Sequence, residues 1–275
     1  MNDTVLIPKP AREAFLEQLW TYYAQYGRHD LPWRLPEPDG TFDPYKILVS
    51  ELMLQQTQVS RVVPKYLAFL ERFPTSENLA EAPLGDVLRL WQGLGYNRRA
   101  KFLWQAAQAV RELSYFPSTP EELIRLPGVG VNTSGAIQAY TFNKPAIFIE
   151  TNIRTVYIYH FLQQQESISD TVIRGLLSQT LDREHPREFY WALMDYGAWL
   201  KTQVHTNSQS RHYTRQTRFE GSRRQLRGKI IRVLTEKAMS MQELEDLVHD
   251  ERLKETLAQL IQDGLIVKNR TNYSV

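Results

Sequence analysis

The chain has 275 residues, 42% of them hydrophobic, which allows one large domain or two modest ones with a sizeable core. Its formal net charge is only +2, and it contains no cysteine, which excludes disulfides, zinc–thiolate sites and iron–sulfur clusters held by its own side chains. The N-terminal residues lack the apolar core of a signal peptide, and no run of about 18 apolar residues occurs. We therefore expect a protein without a membrane span that works in the cytoplasm, on the nucleoid or in the nucleus.

The first two thirds of the chain carry apolar residues at helical spacing and almost none of the alternation that is typical of strands. Prolines and glycines separate these segments, as in the loop that contains Pro36, Pro38, Gly40 and Pro44. The pattern predicts an all-α region. The predicted helices cover residues 11–26, 45–59, 62–73, 84–91, 100–113, 121–126, 133–142, 152–161, 171–181 and 187–200.

The last third of the chain has a different pattern of polar and apolar residues. Residues 202–222 are polar with little periodicity, which predicts a surface linker. Helical patterns then return over residues 225–238, 241–248 and 252–263. Residues 265–268 and 271–275 can pair as a hairpin, so this segment is predicted to be a winged helix, with a plain helical appendage as the alternative. The expected domains are a helical domain over 1–201, a basic linker over 202–222 and a winged-helix-like domain over 223–275.

Positive charge is concentrated between Arg211 and Arg232, where eight Arg or Lys residues stand against one acid, Glu220. A local basic stretch is the footprint of phosphate binding, although a solvated surface gives the same pattern. The candidate phosphate ligands in this stretch are Arg211, Arg215, Arg223 and Arg224.

A glycine motif, Leu126-Pro127-Gly128-Val129-Gly130, lies between two short predicted helices. Two glycines at this spacing let the backbone approach a ligand closely, and the N–H groups of the following helix then face an anion. A DNA phosphate is a suitable anion, and such a contact positions a protein without reading base sequence. A bare Gly-x-Gly is usually only a turn, but in this setting the motif matches the helix-hairpin-helix pattern.

Two glutamates occur in settings that suit chemistry on a glycosidic bond. Glu51 lies among apolar residues, where its pKa should rise towards that of a general acid at neutral pH; an exposed glutamate on an amphipathic helix is the alternative. Glu150 follows a short apolar run and opens a helix, where it either caps that helix or holds negative charge beside a cationic sugar transition state. Two carboxylates that flank the bond are the arrangement that glycoside hydrolysis uses repeatedly.

The chain resembles the helix-hairpin-helix DNA glycosylases, and most closely their MutY adenine glycosylase branch. The matching motifs are Leu31-Pro32-Trp33-Arg34, Pro44-Tyr45, Ser50-Glu51-Leu52-Met53-Leu54-Gln55-Gln56-Thr57, Leu90-Trp91-Gln92-Gly93-Leu94-Gly95-Tyr96, the glycine hairpin and Leu193-Met194-Asp195-Tyr196-Gly197-Ala198. The resemblance implies a two-lobed helical fold that acts, as a monomer, on a mismatched or damaged base flipped out of double-stranded DNA.

The resemblance also assigns residues to roles. Glu51 matches the family's general acid, and Glu150 falls where the family has its catalytic aspartate. Gln56 and Tyr96 match residues that wedge into the DNA stack. The phosphate-binding hairpin corresponds to Leu126, Gly128, Val129, Gly130 and Asn132.

Two departures from the family pattern concern the chemistry. Glu150 is one methylene longer than aspartate, and misplacement of a catalytic group by about 1 Å can cost ~100-fold in rate. Asn132 stands where bifunctional relatives have a Schiff-base lysine. Since an amide cannot form an imine, we expect a monofunctional enzyme without lyase activity.

Two further departures concern the C-terminal third. Residues close to Lys201, Ser208, Arg211 and Thr217 occupy the places of the family's four cluster cysteines, so we expect no iron–sulfur cluster and no cofactor, apart from a monovalent cation that the hairpin could hold. Only about fifty residues follow the linker. They look like a winged helix rather than the domain that inspects 8-oxoguanine in the MutY branch.

Three hypotheses remain open at this level. The leading one is an adenine glycosylase acting opposite G or 8-oxoguanine. The second is a glycosylase for mismatched T or U, or for a damaged base. The third is a DNA-binding protein that recognises lesions but has lost catalysis.

Overall fold

A computed structural model of the chain describes residues 5–204, 206–212 and 218–275. The helices of this part are α1 (Lys9–Tyr26), α2 (Pro44–Leu54), α3 (Val59–Arg72), α4 (Ser76–Glu81), α5 (Leu84–Trp91), α6 (Arg98–Leu113), α7 (Pro120–Leu123), α8 (Val131–Phe142), α9 (Thr151–Phe161), α10 (Asp170–Thr180), α11 (Pro186–Gln203), α12 (Arg223–Glu236), α13 (Met241–Val248) and α14 (Leu253–Gln262). Short 3₁₀ turns lie at Pro32–Arg34 and Thr206–Gln209. The strands are β1 (Met239–Ser240), β2 (Val267–Asn269) and β3 (Asn272–Ser274).

The chain divides into two compact units, and each is composed of more than one segment. Unit 1 contains Met1–Ile47, Ser118–Ile124 and Val129–Arg215. Unit 2 contains Leu48–Pro117, Arg125–Gly128 and Gln216–Val275. The winged-helix segment therefore belongs to the same unit as α3 to α6. The domain limits expected from the sequence, at residues 201 and 222, stay a prediction.

Unit 1 is built around α11, which packs against α9 and α1. Gly197 allows the closest approach, because a Cβ there would lie 2.4 Å from the backbone oxygen of Asn152 in the first turn of α9. Asp195, buried on the same helix, accepts hydrogen bonds of 2.7 and 2.9 Å from Arg34 and further ones from Arg28. Burial opposes the ionisation of Asp195, but these arginines outweigh it and keep its pKa below the ordinary value. Asp195 therefore holds the loop after α1 against α11 as a structural ion pair.

The helical part of unit 2 packs α3, α5 and α6 around the fully buried Trp91, with α4 against α6. The indole N–H of Trp91 donates to the carbonyl oxygen of Gly95, 3.1 Å away. Tyr66, Phe69 and Phe73 complete the aromatic core on the α3 side. This core positions the two turns that follow α2 and α5.

The C-terminal segment of unit 2 is a winged helix, as the sequence predicts. Strands pair antiparallel in the order β1-β3-β2, with Met239 opposite Tyr273 and Lys268 opposite the same tyrosine. A capping box of Ser240 and Glu243 starts α13. The segment docks on α5 and α6, where Arg89 donates to the Thr235 oxygen at 2.6 Å and Lys101 to the Asp263 oxygen at 2.7 Å.

The structure differs from the predicted elements in several places. Helix α2 ends at Leu54 rather than residue 59, because the next residues form a turn fixed by a distant arginine, described below. Helix α4 was not predicted, although Thr75 caps it by accepting a hydrogen bond from the Asn78 N–H. Strand β1 was missed, and the β2–β3 turn falls one residue later than expected, with Arg270 in the left-handed region. None of the described helices is apolar over a stretch long enough to cross a bilayer.

Candidate active site and nucleic-acid interface

Glu51 lies on the C-terminal half of α2 in unit 2. Its neighbours Ser50, Leu52 and Met53 are fully buried, while Glu51 itself keeps part of its surface accessible. Its role as the general acid stays a prediction.

A buried arginine fixes the turns that carry the two expected wedge residues. Arg99 is only 7% exposed and lies over the rings of Trp91 and Tyr96 at 5.5 Å. Its guanidinium donates six hydrogen bonds of 2.5–3.2 Å, to the carbonyl oxygens of Leu52, Met53, Gln55, Leu94 and Gly95 and to the Thr57 hydroxyl. Burial lowers the pKa of Arg99 to about 10, so it stays charged at neutral pH. No local sequence pattern indicates this residue's role, since its partners lie up to 47 positions away.

Gln56 and Tyr96 each follow a residue whose carbonyl oxygen Arg99 holds. Both adopt left-handed backbone conformations, with φ of 54° and 48°, which is a strained choice for residues with a Cβ. Both line one groove of about 1450 Å³, together with Arg224 of α12. Arg224 donates to the Tyr96 hydroxyl at 2.9 Å and lies 5.3 Å from its ring centre. The structure thus brings three of the predicted DNA-contacting residues together within unit 2.

The glycine hairpin has the backbone that the motif predicts. Gly128 has φ of +80°, and a Cβ there would lie 2.7 Å from Cβ of Phe102, so only glycine fits. Leu126 and Val129 are buried and anchor the turn. Gly130 is exposed and opens α8 without a side-chain cap, which leaves the N–H groups of the first turn available for an anion.

The side chain of Asn132 forms two hydrogen bonds that the sequence did not indicate. Its amide donates to the Ile149 oxygen at 3.0 Å and accepts from the Ile149 N–H at 3.3 Å. The two bonds fix the peptide just before Glu150. This geometry ties the first turn of α8 in unit 1 to the candidate catalytic carboxylate.

Glu150 precedes α9 in the N-cap position but makes no capping hydrogen bond with its side chain. Burial raises the pKa of its carboxyl group, and the positive charges of Arg154 and Lys201 partly offset that rise. Arg154 is itself neutralised by a bidentate pair with Asp170, at 2.7 and 2.8 Å. Glu150 therefore lies in a desolvated setting and feels two positive charges. The charge of Lys201 is less compensated than that of Arg154, because Arg154 is paired with Asp170.

Lys201 is a functional candidate that sequence reasoning missed. It lies on α11 one turn after Gly197, on the helix face that meets the first turn of α9. Burial lowers the pKa of Lys201, while the charge of Glu150 acts in the opposite direction. The only available signal was its position, since it stands where the family has its first cluster cysteine.

The residues after α11 do not fit an iron–sulfur cluster, since the chain has no thiol to bind one. In unit 1 hydrogen bonds hold this segment instead. Ile168 pairs with Ser210 as an isolated bridge, Gln209 donates to the oxygens of Gln163 and Gln165, and Arg211 donates to Ser167. Within the described ranges, no cluster of three His, Asp or Glu side chains could bind a metal ion.

The remaining candidate phosphate ligands are dispersed. Arg211 and Arg223 are exposed, and Arg223 forms an ion pair of 2.9 Å with Glu255 of α14. Arg215 lies outside the described residues. Glu51 belongs to unit 2 and Glu150 to unit 1, so the expectation that the two carboxylates face each other stays a prediction.

Comparison with known proteins shows which family the chain belongs to. Residues 49–179 match the model of the HhH-GPD superfamily of base excision DNA repair proteins. An adenine DNA glycosylase of Mycolicibacterium smegmatis is 33% identical over 237 residues, which is 79% of this chain and 79% of that protein. The chain belongs to the adenine DNA glycosylase family of the HhH-GPD superfamily.

Some other relatives are longer than this chain. An adenine DNA glycosylase of Buchnera aphidicola (subspecies Baizongia pistaciae) is 36% identical over 190 residues, which cover 67% of this chain and 52% of that protein. The chain thus spans about half the length of this relative. Among solved structures, a thermostable thymine-DNA glycosylase matches with a TM-score of 0.58 and 26% identity, over 69% of this chain and 87% of the other. The fold is accordingly the helical one of the HhH glycosylases, as the sequence predicts.

Proposed function

We propose that this chain is a monofunctional DNA glycosylase that removes adenine opposite G or 8-oxoguanine from double-stranded DNA. The observation that carries the proposal is its kinship, over 79% of both chains, with a protein named adenine DNA glycosylase. Duplex DNA is the partner, a monomer is the working form, and no cofactor takes part.

The proposed chemistry uses two carboxyl groups in different states. Neutral adenine leaves poorly, so Glu51 donates a proton to a ring nitrogen while the bond between N9 and the sugar C1′ breaks. Ionised Glu150 stabilises the cationic sugar that forms, and a water oxygen then bonds to C1′ and loses a proton. The desolvated surroundings of Glu150 support this role, because a charge in such a setting acts strongly on a neighbouring cation.

Extrusion of the base precedes this chemistry and costs a few kcal/mol of stacking and pairing energy. Gln56 and Tyr96 fill the space that the base leaves. Their turns are already held in place by Arg99, so little ordering is required when DNA binds.

Asn132 supports the absence of a lyase step. Its side-chain amide donates to the Ile149 oxygen and accepts from the Ile149 N–H. An amide also cannot form an imine. Water is therefore the nucleophile, and the product is an abasic site in an intact strand.

A second candidate substrate is thymine or uracil in a mismatch. The likeness to a thymine-DNA glycosylase, at 26% identity, favours it. Pyrimidine anions leave more readily than adenine, so Glu51 would matter less for such a substrate.

Single-turnover base release from a duplex with adenine opposite 8-oxoguanine tests the proposal, with Glu51→Gln as the variant. Loss of the proton donor should slow release by about 10²–10⁴-fold. Glu71→Gln, an exposed glutamate on α3 of the same unit, is the matched control and should keep the wild-type rate. Equal rates for Glu51→Gln and wild type would remove Glu51 from the mechanism, and tight binding without release would leave a lesion-binding protein.

A further inference from the structure

The groove beside the wedge residues has two cationic walls, both within unit 2. One wall is α12 of the winged helix, and the other consists of the turns after α2 and α5 with the start of α3 and α6. Eight arginine or lysine side chains line its volume of about 1450 Å³, against two acids, Asp250 and Asp263. Such an excess of one charge in a concave surface concentrates anions.

Ion pairs leave part of this charge uncompensated. Arg227 pairs with Asp263, and Arg252 pairs with Asp250. Arg99 is enclosed by the turns that carry Gln56 and Tyr96, here called the wedge turns. Arg61 on one wall and Arg232 on the other are exposed, and neither forms an ion pair with any described residue. The two exposed guanidinium groups are therefore the cations most available to an external anion.

The groove also carries flat and apolar side chains among its cations. Phe219 is 56% exposed at one end, and Tyr96 lies against Arg224 at the rim. Cationic walls with interspersed aromatic rings are the surface that a nucleic-acid strand takes, because phosphates and base faces both find partners. A small anion would use the charges alone.

Helix α14, the usual recognition helix of a winged helix, is occupied by contacts within the protein. Glu255 pairs with Arg223 and accepts from Gln259 at 3.1 Å, and Lys254 pairs with Glu245 at 3.5 Å. Its exposed surface thus carries compensated charge. Among the described residues of this segment, Arg232 of α12 is exposed in the groove and forms no ion pair.

We propose that the groove binds the phosphodiester backbone of DNA next to the point where Gln56 and Tyr96 enter the stack, and that α12 rather than α14 supplies the winged-helix contacts. This inference rests on DNA being the substrate, as proposed above. The bond between Arg224 and Tyr96 then couples the winged helix directly to the wedge.

Salt-dependent binding of labelled duplexes to the full chain tests the inference. The variant is Arg61→Ala with Arg232→Ala, and the control is Lys254→Ala with Lys268→Ala, which removes the same charge outside the groove. Each lost phosphate contact reduces the slope of log K against log salt by about 0.9, so the groove variant should lose about two units of slope. Its affinity should fall equally for matched and mismatched duplexes, because phosphate contacts do not read sequence.

An unchanged slope in the groove variant, or an equal loss in the control, would overturn the inference. Base release by the wild-type protein, measured on the same mismatched duplex, tests the proposed function separately. Absence of release with a reduced slope would contradict the catalytic proposal and leave the groove standing.

Discussion

At the scale of single residues, the catalytic proposal depends on the charge state of Glu150. Burial raises the pKa of this carboxyl group, and its proposed role requires the ionised form. On the acid side, release should therefore be lost as the pH falls through that pKa, at a higher pH than for an exposed glutamate. Lys201 and Arg154 limit the rise, and only Arg154 has a carboxylate partner of its own among the described residues, in Asp170.

Replacement of Lys201 should shift the pH profile. In Lys201→Met the pKa of Glu150 should rise further, because a positive charge that favours the carboxylate is gone, so the acid limb of the release rate should move to higher pH. Lys201→Arg keeps the charge and should leave the limb near its wild-type position. Single-turnover rates across the acid range measure this, and coincident profiles for all three proteins would exclude Lys201 from the control of Glu150.

At the scale of elements, the Arg99 contacts join the end of α2 to the turn between α5 and α6. Five of its six acceptors are backbone oxygens, and each would lose a charged donor if the side chain were removed. Gln56 and Tyr96, which have left-handed backbone conformations, each follow one of these acceptor residues. We therefore propose that Arg99 links the stability of the protein to the distortion of DNA by Gln56 and Tyr96.

Replacement of Arg99 by leucine should lower the free energy of unfolding by about 3 kcal/mol or more, as loss of a buried charged donor does. It should also weaken base unstacking, which the fluorescence of 2-aminopurine beside the mismatch reports. Arg111→Ala, at an exposed position on α6, is the control and should change stability by less than about 0.5 kcal/mol. A stable Arg99→Leu protein that unstacks the base normally would show that the wedge turns keep their conformation without Arg99.

The sequence predicted most elements because their signals are local. Helices α5 and α13 follow their apolar periodicity to the residue, and the hairpin follows its glycines. The proposed roles of Glu51 and Glu150 rest on motifs in the same way and stay predictions. The early end of α2, the Arg99 contacts and the proximity of Lys201 to α9 depend on partners far along the chain, which periodicity and motifs do not register.

At the scale of the whole molecule, unit 1 carries Glu150 with the start of α8, and unit 2 carries Glu51, the wedge turns and the winged helix. The segment that holds a metal cluster in the family's usual pattern is tied down in unit 1 by hydrogen bonds to residues 163–168. The winged helix is bound to α5 and α6 by side-chain hydrogen bonds to Thr235 and Asp263.

A base-release panel shows whether the protein excises adenine from DNA. The wild-type protein is incubated with duplexes that contain A opposite G, A opposite 8-oxoguanine, T opposite G and U opposite G, with and without alkali, and with borohydride to trap an imine. The account predicts release of adenine from the first two duplexes, strand breakage only after alkali and no trapped adduct. Preferential release of thymine or uracil, or a borohydride-trapped adduct, would contradict it.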